Sequence, residues 1–248
     1  MWANHVAVID GSTSKARQQM RQGMRNGRLA MLTISDVVRR LSPEATLSDF
    51  CREATSRIHD LYAACGLTDI RLTQHPEERA TASVALYSLY HEEIWLIGDC
   101  QCIAEGNYHD NPKPEEESIA QRRSVILHNL LAEGKTDIKA LLHHDIGRDA
   151  IVPDIVATCH AQNIDFAVVD GFPIALQKVK TIRTGTSDII LATDGYPFLL
   201  PTLDDSEKAL SHQLDTDPLC IDTYKATKGV MEGNCSFDDR AYIRFRIK

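Results

Sequence analysis

The sequence predicts an α+β fold in which antiparallel strands are backed by helices. Three observations lead there. Residues 83–90 and 94–97 are apolar, β-rich runs separated only by His91, Glu92 and Glu93, a gap that fits an antiparallel hairpin. Ala241, Ile243, Phe245 and Ile247 alternate with Tyr242, Arg244, Arg246 and Lys248, the period of a strand with one buried and one wet face. Helical segments follow one another between these strands, which rules out a simple alternating βαβ chain.

In chain order, Val6-Ala7-Val8-Ile9 is a short apolar strand, and a helix is expected within 17–41. Thr46, followed three residues later by Asp49, caps a helix in which Leu47, Phe50, Cys51, Ala54, Ile58, Leu61 and Cys65 keep helical spacing up to Gly66. After the hairpin, Asn107 to Pro114 reads as a surface loop too short to separate domains. A second long helix begins near Pro114, with Glu115, Glu116 and Glu117 suited to its positive end. It runs through Ile119, Val125, Ile126 and Leu130 to Gly134. Shorter helices are expected at 137–144, 150–161 and 204–214, and strands at 166–169 and 189–192. No repeat, low-complexity tract or linker breaks the series. A single domain over residues 1–248 is expected.

Composition narrows the function classes. The 248 residues are 43% hydrophobic and 25% charged, an ordinary globular balance rather than that of a disordered chain. Asp and Glu number 35 against 27 Lys and Arg, for a net charge of -8. So acidic a surface argues against a general nucleic-acid partner, which needs a basic face. No stretch approaches the roughly 18 consecutive apolar residues of a membrane span, and Met1-Trp2-Ala3-Asn4-His5 lacks the build of a secretory signal. Seven cysteines without CxxC pairs suit neither a disulfide framework nor a Cys-based zinc site. The expectation is a cytoplasmic protein with reduced thiols and no membrane partner.

The informative feature is where the aspartates fall. Val6-Ala7-Val8-Ile9 runs into Asp10-Gly11, Trp95-Leu96-Ile97 into Gly98-Asp99, and Ile189 to Thr193 into Asp194-Gly195, while Asp238-Asp239 stands just before the final strand. If those strand ends converge, the carboxylates repel one another unless a cation sits among them. Oxygen donors without a His or Cys cluster select Mg2+, Mn2+ or Ca2+ over zinc. A glycine after the acid lets the backbone approach closely and turn its carbonyl toward an ion. Two ions bridged by one carboxylate would activate a water against a phosphoryl group. Asp-Gly is equally a common turn dipeptide. Asp170-Gly171 also follows an apolar run and reads as a plain turn, yet nothing in spacing separates it from Asp10-Gly11 or Asp194-Gly195.

The ordered set Val-Ile-Asp10-Gly11, Trp-Leu-Ile-Gly98-Asp99-Cys100, Leu-Ala-Thr193-Asp194-Gly195 and Asp238-Asp239-Arg-Ala-Tyr-Ile resembles the metal-dependent protein phosphatases of the PP2C type. The small-residue run Thr81 to Leu86 ahead of the second motif is similar too, and the resemblance covers about residues 5 to 247. It implies a four-layer α/β/β/α sandwich of two antiparallel sheets flanked by helices, with the active site at one end. It implies Asp10 bridging two Mn2+ or Mg2+ ions, the Gly11 carbonyl ligating one, and Asp194 and Asp238 completing the second ion's shell. Asp99 would take an outer-shell or third-ion position. The implied reaction is attack of a metal-bridging water on phosphoserine, phosphothreonine or a related phosphomonoester, without a covalent enzyme intermediate. The substrate would be a phosphorylated protein or a small phosphate ester.

Three departures from the family pattern bear on this. The family's strand upstream of the first Asp-Gly, which carries a phosphate-gripping arginine, has no counterpart in the nine residues before Asp10. Lys15 and Arg17 are the nearest cations beyond that motif, though solvation on a helix surface also accounts for them. Ser12 stands where a histidine proposed as general acid often sits, and Phe198 where a further aspartate is common. The alternative is therefore a catalytically weak or inactive phosphatase-like module that binds or regulates. An amidase with an N-terminal nucleophile shares the sandwich but needs Cys, Ser or Thr at the mature N-terminus, and residue 2 is Trp.

Other residues suit structural roles. His143-His144-Asp145 fits a helix end, since adjacent side chains point apart. Cys100 and Cys102 fit one buried strand face. Thr223 to Gly229 (TYKATKG) lacks P-loop spacing but leads toward Asp238.

Overall fold

The computed structural model describes residues 4–13, 15, 20–185 and 188–247, which form two compact units. Arg17, a candidate phosphate-binding cation, lies outside the described residues. The first unit holds residues 1–112, 159–194 and 241–248; the second holds 113–158 and 195–240.

Two antiparallel four-stranded sheets make the first unit. One has the order β1 (His5–Gly11), β2 (Ala82–Ser88), β3 (Glu93–Ile97), β6 (Lys180–Arg183). The other runs β5 (Asn107–His109), β4 (Gln101–Ala104), β7 (Asp188–Ala192), β8 (Tyr242–Arg246). Period-2 alternation decides the packing. Val6, Val8, Ala85, Tyr87, Ile94 and Leu96 from one sheet meet Cys102, Ala104, Ile189, Leu191, Ile243 and Phe245 from the other. The opposite face of the first sheet, with Ala7, Ile9, Val84, Leu86, Trp95 and Ile97, packs on α1 (Asn26–Arg40) and α2 (Leu47–Ala64) through Ile34, Phe50, Ala54, Ile58 and Tyr62. Each fully buried large side chain contributes roughly 1.5–3 kcal/mol, so the first sheet, apolar on both faces, organises this unit.

Local chemistry sets the element ends. Thr46 and Asp49 form a reciprocal capping box at the start of α2, and Gly66 follows its last turn. β2 and β3 pair from Ser88↔Glu93 to Val84↔Ile97, as the short gap between them requires. In β8, Ile243 and Phe245 turn toward the other sheet, whereas Arg244 and Arg246 both bind Asp188. Cys100 and Cys102 are fully buried between the sheets, and burial pushes the Cys102 thiol up to about 12. All seven cysteines are free thiols.

One expected strand is absent. Phe166 to Val169 is buried but makes only isolated bridges, Val169 with Ala82 and Phe166 with Gln162. Its path is dictated by the next residue. Asp170 is fully buried, and its carboxylate accepts from Arg79 Nη1 (2.8 Å), Asn163 Nδ2 (2.9 Å) and Phe172 N (3.0 Å). Tyr62 donates to its backbone carbonyl at 2.5 Å. Arg79 in turn donates to Leu72 O and lies 4.0 Å over the Phe172 ring. Asp170-Gly171 does form a turn, with Gly171 at φ 84°, but the acid side chain also fastens the Arg79 and Asn163 segments to that turn. Elements unforeseen from sequence are also short: β4, β5, β6 and α3 (Asp69–Gln74).

The second unit contains α4 (Glu116–Ala132), α5 (Ile138–His143), α6 (Ile146–Thr158) and α7 (Leu203–Thr216). Its interior has two apolar groups, Leu127, Leu141, Leu219 and Ile221 in one and Ile119, Ile151 and Ile155 in the other. Arg123 on α4 is fully buried. It donates to Asp145 through Nε (3.0 Å) and Nη2 (2.7 Å) and to the carbonyls of Cys220 and Ala226 through Nη1. His143 and His144 go separate ways, to Glu232 and Asp149, as a helix end allows. Among the described residues, no helix is long and apolar enough to cross a membrane.

Two outcomes test these anchors. Asp170→Ala strands a buried guanidinium and should lower unfolding stability by about 3–5 kcal/mol in urea melts; a loss below about 1 kcal/mol contradicts the anchoring role. Asp49, held down from its ordinary 3.8 to about 2 by the Thr46 hydroxyl and backbone N–H, stabilises the fold most above its unfolded value. That contribution fades as pH falls through about 2, so a carboxyl NMR titration should find the Asp49 midpoint well below that of Asp49 in the Thr46→Ala variant.

Candidate metal centre

The register of β1 on β2 builds the site. Seven consecutive pairs run from His5↔Ser88 to Gly11↔Ala82 and place Asp10 opposite Ser83. Val6 and Val8 on β1 and Ala85 and Tyr87 on β2 face the second sheet, so alternation puts Asp10 and Ser83 on that same face. Just past β3, Gly98, with a φ of 82°, turns the chain back. A Cβ there would come within 2.2 Å of Ser83 Oγ, so only glycine admits the turn. The returned Asp99, 9% exposed, accepts a hydrogen bond from Ser83 Oγ at 2.5 Å. Asn111 Nδ2 holds the Gly98 carbonyl at 3.2 Å.

Asp194 arrives from the other sheet. Thr193, just past β7, donates its N–H to Ala241 O (3.1 Å), accepts from Ala241 N on Oγ1 (2.9 Å), and gives its carbonyl to Gln101 Nε2 (2.8 Å). Gln101 is itself oriented by Tyr108, whose hydroxyl donates to Oε1 at 3.0 Å. The residue leading into Asp194 is therefore held by two partners, Ala241 and Gln101. The result is that carboxylate oxygens of Asp99 and Asp194 lie within 4.8 Å of each other.

The three Asp-Gly pairs now separate physically. Gly11 carries no left-handed backbone; a Cβ on it would meet Gly27 O at 2.3 Å, so the glycine lets the end of β1 press against the start of α1. Gly195 is similar, with Asp239 O at 2.3 Å from the Cβ position. Gly171 alone of the three is a positive-φ turn. Close approach accounts for Gly11 and Gly195 whether or not an ion binds.

Asp238 belongs to the second unit. Its Oδ1 accepts from Lys228 Nζ at 2.5 Å and from Asp239 N at 2.9 Å. Lys228 ends the TYKATKG segment's lysine pair, so that segment does reach the fourth motif. Phe198, half exposed, packs edge-on against Tyr224 at 6.1 Å between ring centroids.

The donor chemistry at Asp99 and Asp194 suits a hard divalent cation. Two carboxylates this close repel, a positive ion relieves the repulsion, and oxygen-only donors match Mg2+ or Mn2+. Ser83, Gln101 and Asn111 escaped the sequence reading because each is an ordinary polar residue until the fold brings it to a partner. The Thr81 to Leu86 run of small residues was the available signal, since Gly98 and Ser83 must interlock. Ser83→Ala should weaken Mn2+ binding by about 10–100-fold in isothermal titration, without unfolding the protein; unchanged affinity contradicts a role for Ser83 in orienting Asp99.

No protein-family model matches the chain, and no curated protein sequence matches it. Solved structures do. The chain is similar to PppA, a key regulatory component of T6SS in Pseudomonas aeruginosa, at 13% identity and TM-score 0.38, over 83% of this chain and 70% of that one. It is similar to the serine/threonine phosphatase PstP/Ppp of Mycobacterium tuberculosis at 10% identity and TM-score 0.36, over 85% and 90%. A separate structure of the PstP catalytic domain is a complex with 2 manganese ions. A serine/threonine phosphatase of S. agalactiae matches at 14% identity and TM-score 0.39, over 82% and 78%. At such identities and scores the likeness assigns this chain neither activity nor substrate. The matched structures are of the class that the four ordered motifs resemble.

Proposed function

We propose that this protein is a metal-dependent phosphomonoester hydrolase acting on phosphoserine or phosphothreonine. The observation that carries the reading is the approach of the Asp99 and Asp194 carboxylates, each delivered by a backbone fixed for that purpose. The order of the four acidic motifs in the sequence supports it. By the resemblance, Asp10, on the same sheet face as Ser83, and the Gly11 carbonyl would join them as ligands.

Bound Mn2+ or Mg2+ supplies positive charge for the phosphate and lowers the pKa of a water nucleophile. The chain's own residues do the rest. Asp99 and Asp194 place negative charge where the ions must sit, and Ser83 holds Asp99 against rotation. Gln101 and Ala241 keep the approach to Asp194 rigid, so positioning needs no rearrangement during turnover. Asp10, at the end of β1 opposite Ser83, would be a further carboxylate ligand if the resemblance holds.

A second reading, a phosphatase-like module that binds without turnover, is favoured by the ammonium already resting on Asp238. Hydrolysis of p-nitrophenyl phosphate with Mn2+ distinguishes the two. Wild type should turn over only with metal, and Asp194→Asn should lose about 100-fold or more. Mn2+ bound with no turnover on this ester or on phosphopeptides would favour the binding module. Turnover that survives chelation would sink both.

A further inference from the structure

The fourth acidic motif is not presented to solvent as a bare carboxylate. Lys228 Nζ lies 2.5 Å from Asp238 Oδ1, and both side chains are largely shielded, 26% and 17% exposed. An ion pair in that setting is screened less than a surface pair and holds its geometry.

The lysine is delivered by a fixed backbone. Arg123 Nη1 donates to Ala226 O at 3.0 Å, and Arg148 Nη1 donates to Thr227 O at 2.8 Å, so the two carbonyls preceding Lys228 are each pinned by an arginine. On the other side, Val230 N donates to Pro218 O at 2.9 Å. Arg123 is anchored by Asp145, which leaves the segment little freedom to withdraw. Among the described contacts, Lys228 faces Asp238 directly, and Asp238 supports the positive charge of Arg148 from the same neighbourhood. The Asp239 N–H adds a third favourable contact.

We propose that Lys228 is a built-in counter-cation that withholds Asp238 from divalent metal, so that the chain as folded carries a monovalent ammonium where a divalent ion would otherwise use this carboxylate. The inference rests on the reading of Asp238 as a potential metal ligand in the proposed phosphatase. An entering ion must displace Lys228 and then tolerate its repulsion. Removing the ammonium frees the carboxylate at no cost in volume if the replacement is methionine. Preserving the charge as arginine keeps the block.

Mn2+ titration of the full-length protein, by calorimetry and by electron paramagnetic resonance of free Mn2+, tests this with wild type, Lys228→Met and Lys228→Arg. Lys228→Met should bind one more Mn2+ than wild type, or bind its weakest ion about tenfold or more tighter, which is the strength of a shielded ion pair. Lys228→Arg should match wild type, and adding Asp238→Asn to Lys228→Met should erase the gain. Thermal melts confirm that each variant is folded. No gain in Lys228→Met, or an equal gain in Lys228→Arg, overturns the proposal. The phosphatase reading fails separately: it is lost if wild type neither binds Mn2+ nor turns over, while a gain in Lys228→Met would still uphold the role of Lys228.

Discussion

Strand register is the constraint on which the candidate site depends. β1, β2 and β3 pair without a slip, and a one-residue shift would move every side chain to the other face. With the observed register, Asp10 lies opposite Ser83, and Ser83 lies where the Gly98 turn returns Asp99. The register is enforced from both sides, because the first sheet is apolar toward the second sheet and toward α1 and α2 alike. The site thus inherits its precision from two hydrophobic interfaces that take no part in its chemistry.

Several acids in this chain are answered by a named cation: Asp170 by Arg79, Asp145 by Arg123, Asp188 by Arg244 and Arg246, Asp238 by Lys228. The carboxylates of Asp99 and Asp194 approach each other. A fold that places like charges together in a half-buried position raises its own energy unless a cation joins them.

The sequence made part of this legible and concealed part. Thr46 and Asp49 revealed the start of α2 because a capping box is local, and the three-residue gap revealed the β2–β3 hairpin for the same reason. The acids at the ends of β1, β3 and β7 were visible as motifs, and their order carried the resemblance. Their glycines were visible but not their reasons: Gly11 answers to Gly27, sixteen positions away in sequence, and Gly195 to Asp239, while Gly171 is a simple turn. Asp170 was legible only as punctuation, since nothing near it announces Arg79. Phe166 to Val169 has strand composition, but its path is set by the buried Asp170. β4, β5 and β6 are too short, and too rich in polar and small residues, to show a period.

The proposed site requires Asp99 and Asp194 to share a divalent ion. An anomalous difference map from crystals grown with Mn2+, recorded at the manganese edge, tests it most directly. A shared ion gives a peak at roughly 2.0–2.6 Å from a carboxylate oxygen of each, with Ser83 still bound to Asp99. Crystals saturated with Mn2+ that show both carboxylates ordered and no anomalous peak between them would contradict it.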